Sequence, residues 1–364
     1  MSLFKLPSDA FIFLLNALPM HEVLKLRLLC KTTNDVILQY LYGGQKTIPR
    51  PLEIDHITTL VRRHLSGDQT FRYLVREARM FVQVYSDPDR RAIDCTEETC
   101  FQAAATALTM YKGREWALGY VKQPPAWVTT DNDTFSIMMA AWLRLGDTVE
   151  LWCLAGHSPR QVRHAFLGDM AYAAAYNNDA FLMRLLIGHR VDVMSTTGYF
   201  GDAFKLAAYK GSTRVVHVLL ESRQHLSAAQ ARSNRSQGLF GCALGAAAAA
   251  GEFEAVRMLL PHRNNRYIYN EFLGKSPLYL AAQHGQIQIV NVLLSCPDID
   301  PNSGRHTAET PLAAALAVGH APVVTALVNR PNVRILPAQH LAIRKLLRSI
   351  RQYEDDSVSA GLGQ

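Results

Sequence analysis

A spaced pattern of alanines and glycines recurs along the second half of the chain, and it constrains the fold more than any other feature. Alanines lie three and four positions before most of these glycines, and apolar side chains follow at four, five, eight and nine positions. The members are Gly211, Gly251, Gly285 and Gly319, with Asn178 taking the place of glycine in the first unit. Counted along the chain, their successive spacings are 33, 40, 34 and 34. A period of this length predicts stacked helical repeats.

Each repeat is predicted to be a pair of helices joined by a tight turn. The small residues let the first helix approach its neighbours closely, and the glycine ends it in a left-handed conformation. The apolar positions form one stripe on the second helix. In the last unit, Thr310 provides an N-cap and Pro311 the first helical position. One unit cannot bury its stripe alone, so the units are expected to stack into one core.

Two fainter copies are predicted upstream, at Gly146 and Gly113, and their spacings of 32 and 33 fit the same period. Their alanine pairs are incomplete, because Trp142 and Thr109 occupy one small position each. The apolar residues that follow these two glycines are Leu151 and Leu154, and Leu118 and Val121. The repeats are therefore predicted over 100–335, divergent over 100–168 and clear over 169–335.

The Thr310-Pro311-Leu312 sequence and the repeat period resemble those of the ankyrin repeat. The resemblance implies an α-solenoid whose inner helices and turn tips form one surface that binds a protein. Aromatic and polar residues at those positions are the candidate substrate-binding residues, although each could instead fill a gap between repeats. They are Tyr176, Tyr199, Tyr209, Tyr267, Tyr269, Phe272, Gln283, Arg305 and His306.

The N-terminal segment over 1–41 does not fit the repeat. Leu6-Pro7 opens an apolar helix, Leu18-Pro19 breaks it, and a leucine-rich helix closes on Cys30-Lys31. A module of this size has little core of its own, yet its helices are strongly apolar. Such faces indicate that a partner covers them.

This order of motifs resembles an F-box, although Thr32-Thr33 stands where the family often has an aromatic residue. The resemblance implies docking on the Skp-family adaptor of a cullin–RING ubiquitin ligase. The alternative is a plain helical cap on the repeats. On the F-box interpretation the adaptor-binding anchors are Leu6, Pro7, Phe11, Leu15, Leu18, Pro19, Leu24 and Leu28.

The predicted fold is therefore all-α, an N-terminal three-helix F-box-like module followed by an ankyrin-repeat α-solenoid. The module spans 1–41, a helical linker 42–99, the repeats 100–335, a capping helix 336–353 and a disordered tail 354–364. The net charge of +7 is spread along the chain, which argues against nucleic acid as a partner. No apolar run approaches the roughly 20 residues of a spanning helix, so membrane insertion is not expected.

No catalytic, metal-binding or cofactor-binding motif is found, and the six cysteines are predicted to be reduced thiols in a cytoplasmic protein. The layout implies a non-catalytic, substrate-recruiting subunit of an SCF-type ubiquitin ligase with an unidentified protein substrate. It also resembles effectors of intracellular bacteria and large DNA viruses, which would act in the host cytosol; the nucleus is an alternative location. The competing hypotheses are an ankyrin scaffold or sequestering protein with no ligase link, and an enzyme hidden within 42–150.

Overall fold

The structure is a computed structural model, and it describes residues 51–86, 95–113, 132–194, 198–222, 242–262, 275–304 and 310–348. The F-box-like module over 1–41 and the tail over 354–364 lie outside these ranges. The described residues are mostly helical, as predicted, and their helices stack into a solenoid.

In the described part of the chain, three long helices precede the repeats: α1 (Pro51–Leu65), α2 (Gln69–Val84) and α3 (Glu97–Lys112). Six helix pairs follow there, namely α4 (Asn132–Trp142) with α5 (Gly146–Leu154), α6 (Met170–Asn177) with α7 (Ala180–Gly188), α8 (Ala203–Tyr209) with α9 (Thr213–Glu221), α10 (Ala243–Ala250) with α11 (Phe253–Leu259), α12 (Pro277–Gln283) with α13 (Ile287–Leu294), and α14 (Pro311–Val318) with α15 (Ala321–Val328). A last helix, α16, is described over 337–348.

Short elements complete the described chain. Two 3-10 turns span Pro159–Gln161 and Leu260–His262. Between α5 and α6, strands β1 (Arg163–His164) and β2 (Gly168–Asp169) form an antiparallel hairpin. In its register Arg163 lies opposite Asp169, and His164 opposite Gly168.

The paired helices form two rows. The first helices of the pairs pack in chain order from α4 to α14, and the second helices from α5 to α15. Upstream, α1 packs on α3 and α2 on α4. One apolar core follows from this stacking, and it runs from Ile57 in α1 to Ile343 in α16.

Alanines make the close contacts of the inner row, as the pattern predicts. The α10 segment Ala243–Ala249 is buried throughout. A Cβ on Gly245 would lie 3.2 Å from Cδ1 of Leu280 in the neighbouring repeat. The backbone of α10 therefore approaches its neighbours more closely than larger side chains would permit.

The turn after each inner helix needs a left-handed residue, and the predicted positions supply it. Asn178, Gly251 and Gly319 have φ of 54°, 87° and 83°. Gly211 and Gly285 have φ of 64° and 71°. Glycine adopts this region without a steric penalty, and asparagine tolerates it better than most other residues.

These glycines also make room for the next repeat. The residue before α11, α13 and α15 is Glu252, Gln286 and His320, and none of the three caps its own helix through its side chain. A Cβ on Gly251 would lie 2.7 Å from Gln286, and one on Gly285 would lie 2.7 Å from Nδ1 of His320. Each side chain therefore covers the glycine of the preceding repeat.

The predicted register of the unit at Gly146 is wrong, because the turn lies two positions earlier. The left-handed residue after α4 is Arg144, with φ of 63°, and it precedes Asn178 by one full repeat period. Gly146 is instead the buried first residue of α5. A Cβ there would lie 2.8 Å from Cδ1 of Phe181, so this glycine serves packing and not the turn.

The corrected register restores the repeat pattern in this unit. Ala140 and Ala141 become the small pair, and both are fully buried. The predicted stripe residues Leu151 and Leu154 are 38% and 76% exposed. The buried stripe of α5 consists of Thr148, Val149, Trp152 and Cys153.

The other divergent copy is described only in part. Gly113 ends α3, with φ of 89° and ψ of 166°, which is not the left-handed helical conformation of the later turns. A Cβ on it would overlap the ring of Tyr199. Leu118 and Val121 of this copy lie outside the described residues.

Candidate protein-binding face

Many of the predicted site residues fall outside the described ranges. All eight adaptor-binding anchors do, because they lie within 1–41. Five of the substrate-binding candidates do as well: Tyr267, Tyr269, Phe272, Arg305 and His306. The structure places the other four, Tyr176, Tyr199, Tyr209 and Gln283.

Tyr176 lies near the end of α6, half-buried between two neighbours. Its ring centroid is 5.5 Å from that of Trp142, and the Lys210 ammonium sits 4.6 Å from it, over the ring face. Burial raises the pKa of the Tyr176 hydroxyl, and the negative charge of Asp55 adds to the effect. The phenol therefore stays neutral and able to donate a hydrogen bond.

Tyr199 is held by its backbone at the tip of the turn before α8. Its N–H donates to the Tyr111 carbonyl oxygen over 2.9 Å, and its ring lies against Gly113. Tyr111 in turn meets the Tyr172 ring edge to face at 5.6 Å. Burial raises the pKa of Tyr111, so its hydroxyl is also neutral.

Lys112 places a second ammonium beside these rings. Its Nζ lies 5.4 Å from the Tyr111 centroid and 5.8 Å from that of Phe166. Burial lowers the pKa of this lysine. Partial desolvation strengthens the attraction between an ammonium and an aromatic face, and it does the same for an ammonium and an acidic partner.

We call these six side chains the aromatic strip; the contacts join Tyr111, Lys112, Phe166 and Tyr199 in one group and Tyr176 with Lys210 in a second. Its members come from α3, the 163–169 hairpin, α6, the turn before α8 and the end of α8. Each is at least partly exposed. The strip consists of Tyr111, Lys112, Phe166, Tyr176, Tyr199 and Lys210. Aromatic rings with polar edges beside cationic groups are typical of surfaces that bind proteins.

Tyr209 supports the strip from below. It is only 6% exposed, and its ring packs at a tilt against Phe200, with centroids 4.5 Å apart. Phe200 is itself buried and packs edge to face on Tyr199 at 5.1 Å. The pair therefore holds Tyr199 in place and offers a partner little surface of its own.

Gln283 lies at the matching position of α12, further along the stack. It is half-buried, and its backbone carbonyl oxygen accepts a hydrogen bond from Nε2 of His320 over 3.1 Å. That bond joins two repeats. The helix α10 lies between Gln283 and the strip, and its alanines have no polar side-chain group that could extend the strip.

Buried polar groups brace the strip. The Tyr172 hydroxyl donates to the Met110 carbonyl oxygen over 3.0 Å and accepts from the Phe200 N–H over 3.3 Å. Two positions after Phe200, the Asp202 carboxylate caps α8 and lies 3.6 Å from the Lys205 ammonium. Satisfied buried networks of this kind make a surface rigid.

Sequence reasoning missed four members of the strip. The inner-helix candidates were predicted two positions before the turn residue of each repeat. Lys210 lies only one position before Gly211, so this rule did not select it. Tyr111, Lys112 and Phe166 belong to the divergent region, where the repeat pattern is incomplete. The position two residues before Gly113 is Tyr111, so the rule used for the later repeats could have found it, but no repeat pattern predicts the hairpin that brings Phe166 to Lys112.

Metal-ligating side chains do not cluster within the described ranges. No group of three or more histidine, cysteine, aspartate or glutamate side chains is arranged there to hold a metal ion. Of the helices that the structure describes, none is both long enough and apolar enough to cross a membrane.

The comparison with known families agrees with the repeat assignment. Residues 204–305 and 244–339 match the family described as ankyrin repeats (3 copies), so the chain contains ankyrin repeats, as predicted. No curated protein matches the chain significantly. The chain is similar to the crystal structure of the human ASB11 ankyrin repeat domain, with 18% identity, a TM-score of 0.41, and coverage of 58% of this chain and 96% of that one. Ankyrin repeats indicate a role in protein binding.

Proposed function

We propose that this chain is a non-catalytic receptor that holds a protein on its aromatic strip. The observation that carries the proposal is the strip itself: half-buried aromatic rings beside two ammonium groups, fixed by backbone and buried polar contacts. A rigid surface loses little conformational entropy when it binds. Aromatic and cationic side chains of this type dominate the binding energy of protein interfaces.

The charges of the strip favour an acidic segment as the bound element. Lys210 sits over Tyr176, and Lys112 sits between two rings. Lys210 also lies near Glu252, where burial raises the pKa of the carboxyl and the lysine partly offsets it. An incoming carboxylate can approach the exposed Lys210 ammonium while its apolar neighbours cover the rings.

We further propose that the segment over 1–41 joins the bound protein to the Skp-family adaptor of a cullin–RING ubiquitin ligase. The two Leu-Pro pairs and the apolar helices of that segment support this role. The chain would then be the substrate-recruiting subunit of the ligase and act in the cytosol, with the nucleus as the alternative. In a pathogen effector, the cytosol would be that of the host.

Co-purification with a recombinant Skp-family adaptor tests the ligase connection. The full chain is compared with a variant in which Leu6, Pro7, Leu18 and Pro19 are all alanine. We expect adaptor recovery to fall at least about tenfold, since hot-spot anchors each contribute roughly 2 kcal/mol or more. Leu154→Ala and Leu341→Ala, which change exposed leucines of the described helices, are the matched controls.

Equal adaptor recovery by wild type and the fourfold variant, with unchanged helical circular dichroism, would overturn the ligase connection. Absence of any adaptor binding by wild type would do the same. In either case the strip proposal stands, because it concerns different residues.

The strip is tested by proximity labelling in cells, comparing wild type with Tyr176→Ala/Lys210→Ala. We expect a set of labelled proteins to be lost in the double variant and retained in the Leu154→Ala control. An identical labelled set for wild type and the double variant would show that the strip does not bind the partner.

A scaffold without a ligase link is the second candidate. The observation that favours it is the extent of the family match, which covers ankyrin repeats over 204–339 and no part of the segment over 1–41. Deletion of that segment separates the two candidates. A ligase receptor loses its effect on the abundance of the bound protein, whereas a scaffold keeps both binding and abundance unchanged.

A further inference from the structure

Two thiols meet at the N-terminus of α3. The Sγ atoms of Cys95 and Cys100 lie 3.9 Å apart. Cys100 is fully buried, whereas Cys95 is partly exposed. The two cysteines flank the first turn of the helix, five positions apart.

The helix cap brings the sulfurs together. Thr96 is the N-cap residue, and it exchanges hydrogen bonds with Thr99: the Thr99 N–H donates to the Thr96 hydroxyl, and the Thr96 N–H donates to the Thr99 hydroxyl. In such a capping box the residue before the cap packs on the fourth helical residue. Here those two positions are Cys95 and Cys100, so the contact that usually joins two apolar side chains joins two thiols.

Contacts with the neighbouring helices hold this end of α3 in place. The Arg79 Nε–H of α2 donates to the Cys95 carbonyl oxygen over 3.1 Å. Arg62 of α1 forms an ion pair with Glu98 in the first turn. These contacts therefore reinforce the local cap that brings the two sulfurs together.

We propose that Cys95 and Cys100 are a redox modification site, at which a hydroperoxide converts the thiol pair to a disulfide. The Cys95 thiolate attacks one oxygen of the peroxide, the O–O bond breaks, and Cys95 becomes a sulfenic acid as the other oxygen leaves as water. The Cys100 sulfur then attacks the Cys95 sulfur, the S–O bond breaks, and a second water departs with the Cys100 proton. Two thiols and one hydrogen peroxide thus give one disulfide and two waters.

The environment assigns the two roles. The hydrogen bond from the Cys100 thiol lowers the pKa of Cys95, and the charge of Arg79 acts in the same direction, against the opposing effect of burial. The same hydrogen bond and burial raise the pKa of Cys100 well above its usual range. Cys95 is therefore the attacking thiol, since peroxide reacts with the thiolate, and Cys100 resolves the sulfenic acid.

Other described cysteines have different surroundings. The Cys242 sulfur accepts the Gly245 N–H over 3.2 Å as the cap of α10, and the Cys296 thiol donates to the Val292 carbonyl oxygen over 3.7 Å. Burial raises the pKa of Cys153. These thiols serve as internal controls for general oxidation.

The experiment treats the reduced full chain with hydrogen peroxide and then alkylates the remaining thiols. Trypsin releases both cysteines in one peptide, 92–112, because Arg91 and Lys112 bound it. We expect mass spectrometry to show this peptide losing two hydrogens and escaping alkylation, about tenfold faster than Cys153 becomes oxidised. Reduction with dithiothreitol should restore both alkylation sites.

Variants sharpen the assignment. In Cys100→Ser, a sulfenic acid at position 95 should accumulate and react with dimedone. Cys95→Ser should leave Cys100 alkylatable after the same treatment, and Cys153→Ser should behave as wild type. The proposal is wrong if peptide 92–112 of the wild-type chain retains both free thiols while Cys153 oxidises, a result that needs no variant to fold. It is equally wrong if Cys100→Ser, with wild-type circular dichroism, gives no dimedone adduct.

Discussion

The repeats from α6 to α15 and the region from α1 to α5 build the same core in different ways. The repeat helices are short, and the inner ones fill the core with alanines at close range. The helices α1, α2 and α3 are about twice as long. Large rings pack between α2, α3 and α4, with Phe71 5.8 Å from Phe101 and 5.7 Å from Phe135. A solenoid can therefore be extended by longer helices that do not repeat its short helix pairs, provided that their side chains fill the shared core.

The largest expected effect tests the aromatic packing of the upstream region. Phe71 is fully buried between α3 and α4. Phe71→Ala should reduce the free energy of unfolding by about 3–5 kcal/mol, because it leaves a cavity lined by two other rings. Urea denaturation followed by circular dichroism measures it, with Phe71→Leu as the milder control. A loss below about 1 kcal/mol would mean that the upstream helices contribute little to the common core.

The pH dependence tests the hairpin at the boundary of the two regions. Burial raises the pKa of Asp169 to about 6, and burial lowers the pKa of His164 to about 4, with Lys112 adding to the latter effect. The protonated Asp169 carboxyl makes its full contribution to the free energy of unfolding below about pH 4, and this contribution is lost as the pH rises through 6. The neutral His164 imidazole makes its full contribution to the free energy of unfolding above about pH 6.5, and this contribution is lost as the pH falls through 4. Each of these two groups changes the free energy of unfolding by about 3 kcal/mol, and the two changes have opposite signs as the pH rises.

These two contributions should nearly cancel in the wild-type chain between pH 4 and 6. In Asp169→Asn the histidine acts alone, so the free energy of unfolding should rise by about 3 kcal/mol over that window. Two backbone N–H groups, of Phe166 and Leu167, donate to Nδ1 of His164, which explains why its protonation is unfavourable in the folded state. Urea unfolding at closely spaced pH values measures the free energy of unfolding of the wild-type chain and of Asp169→Asn. If the two free energies changed equally with pH between 4 and 6, Asp169 would not have the raised pKa on which this prediction depends.

The contact between successive repeats is tested by two glycines with similar backbone conformations. Gly285 has φ of 71° and lies under His320, whereas a Cβ on Gly319, at φ of 83°, would meet nothing within 4 Å. Gly319→Ala should reduce the free energy of unfolding by about 1 kcal/mol, because alanine is strained in the left-handed conformation. Gly285→Ala should cost about 2–3 kcal/mol, since the new methyl group also displaces the imidazole. Thermal unfolding measures both, and His320→Ala should remove the difference.

The smallest effect concerns the left-handed residue in each region. Arg144→Gly should stabilise the chain by up to about 1 kcal/mol, because glycine adopts φ of 63° without steric cost. Asn178→Gly should instead destabilise it by about 1 kcal/mol, because the Asn178 Oδ1 accepts the N–H groups of Arg214 and Val215 and glycine would lose both bonds. Thermal unfolding of the two variants measures both changes. Effects of the same sign would show that backbone strain does not distinguish these turns.

Sequence periodicity predicted the repeats where glycine marked the turn and misplaced one where it did not. At α4 and α5 the only glycine near the turn was Gly146, and it serves packing against Phe181. Arg144 carries no local signal of a left-handed conformation, because the rest of the turn imposes it. Only four of the nine predicted substrate-binding residues lie within the described ranges, and one of those, Tyr209, supports the face from beneath.

The sequence by itself determined the class of fold, the repeat length and the stacking of helix pairs. These follow from local spacing, since a stripe of apolar residues at helical period has to be buried whatever its exact neighbours are. Only the tertiary structure decided which rings lie beside Lys112 and which ring lies beside Lys210. Those contacts depend on how a hairpin and several helices from distant parts of the chain pack together, and no local sequence pattern encodes which of them meet.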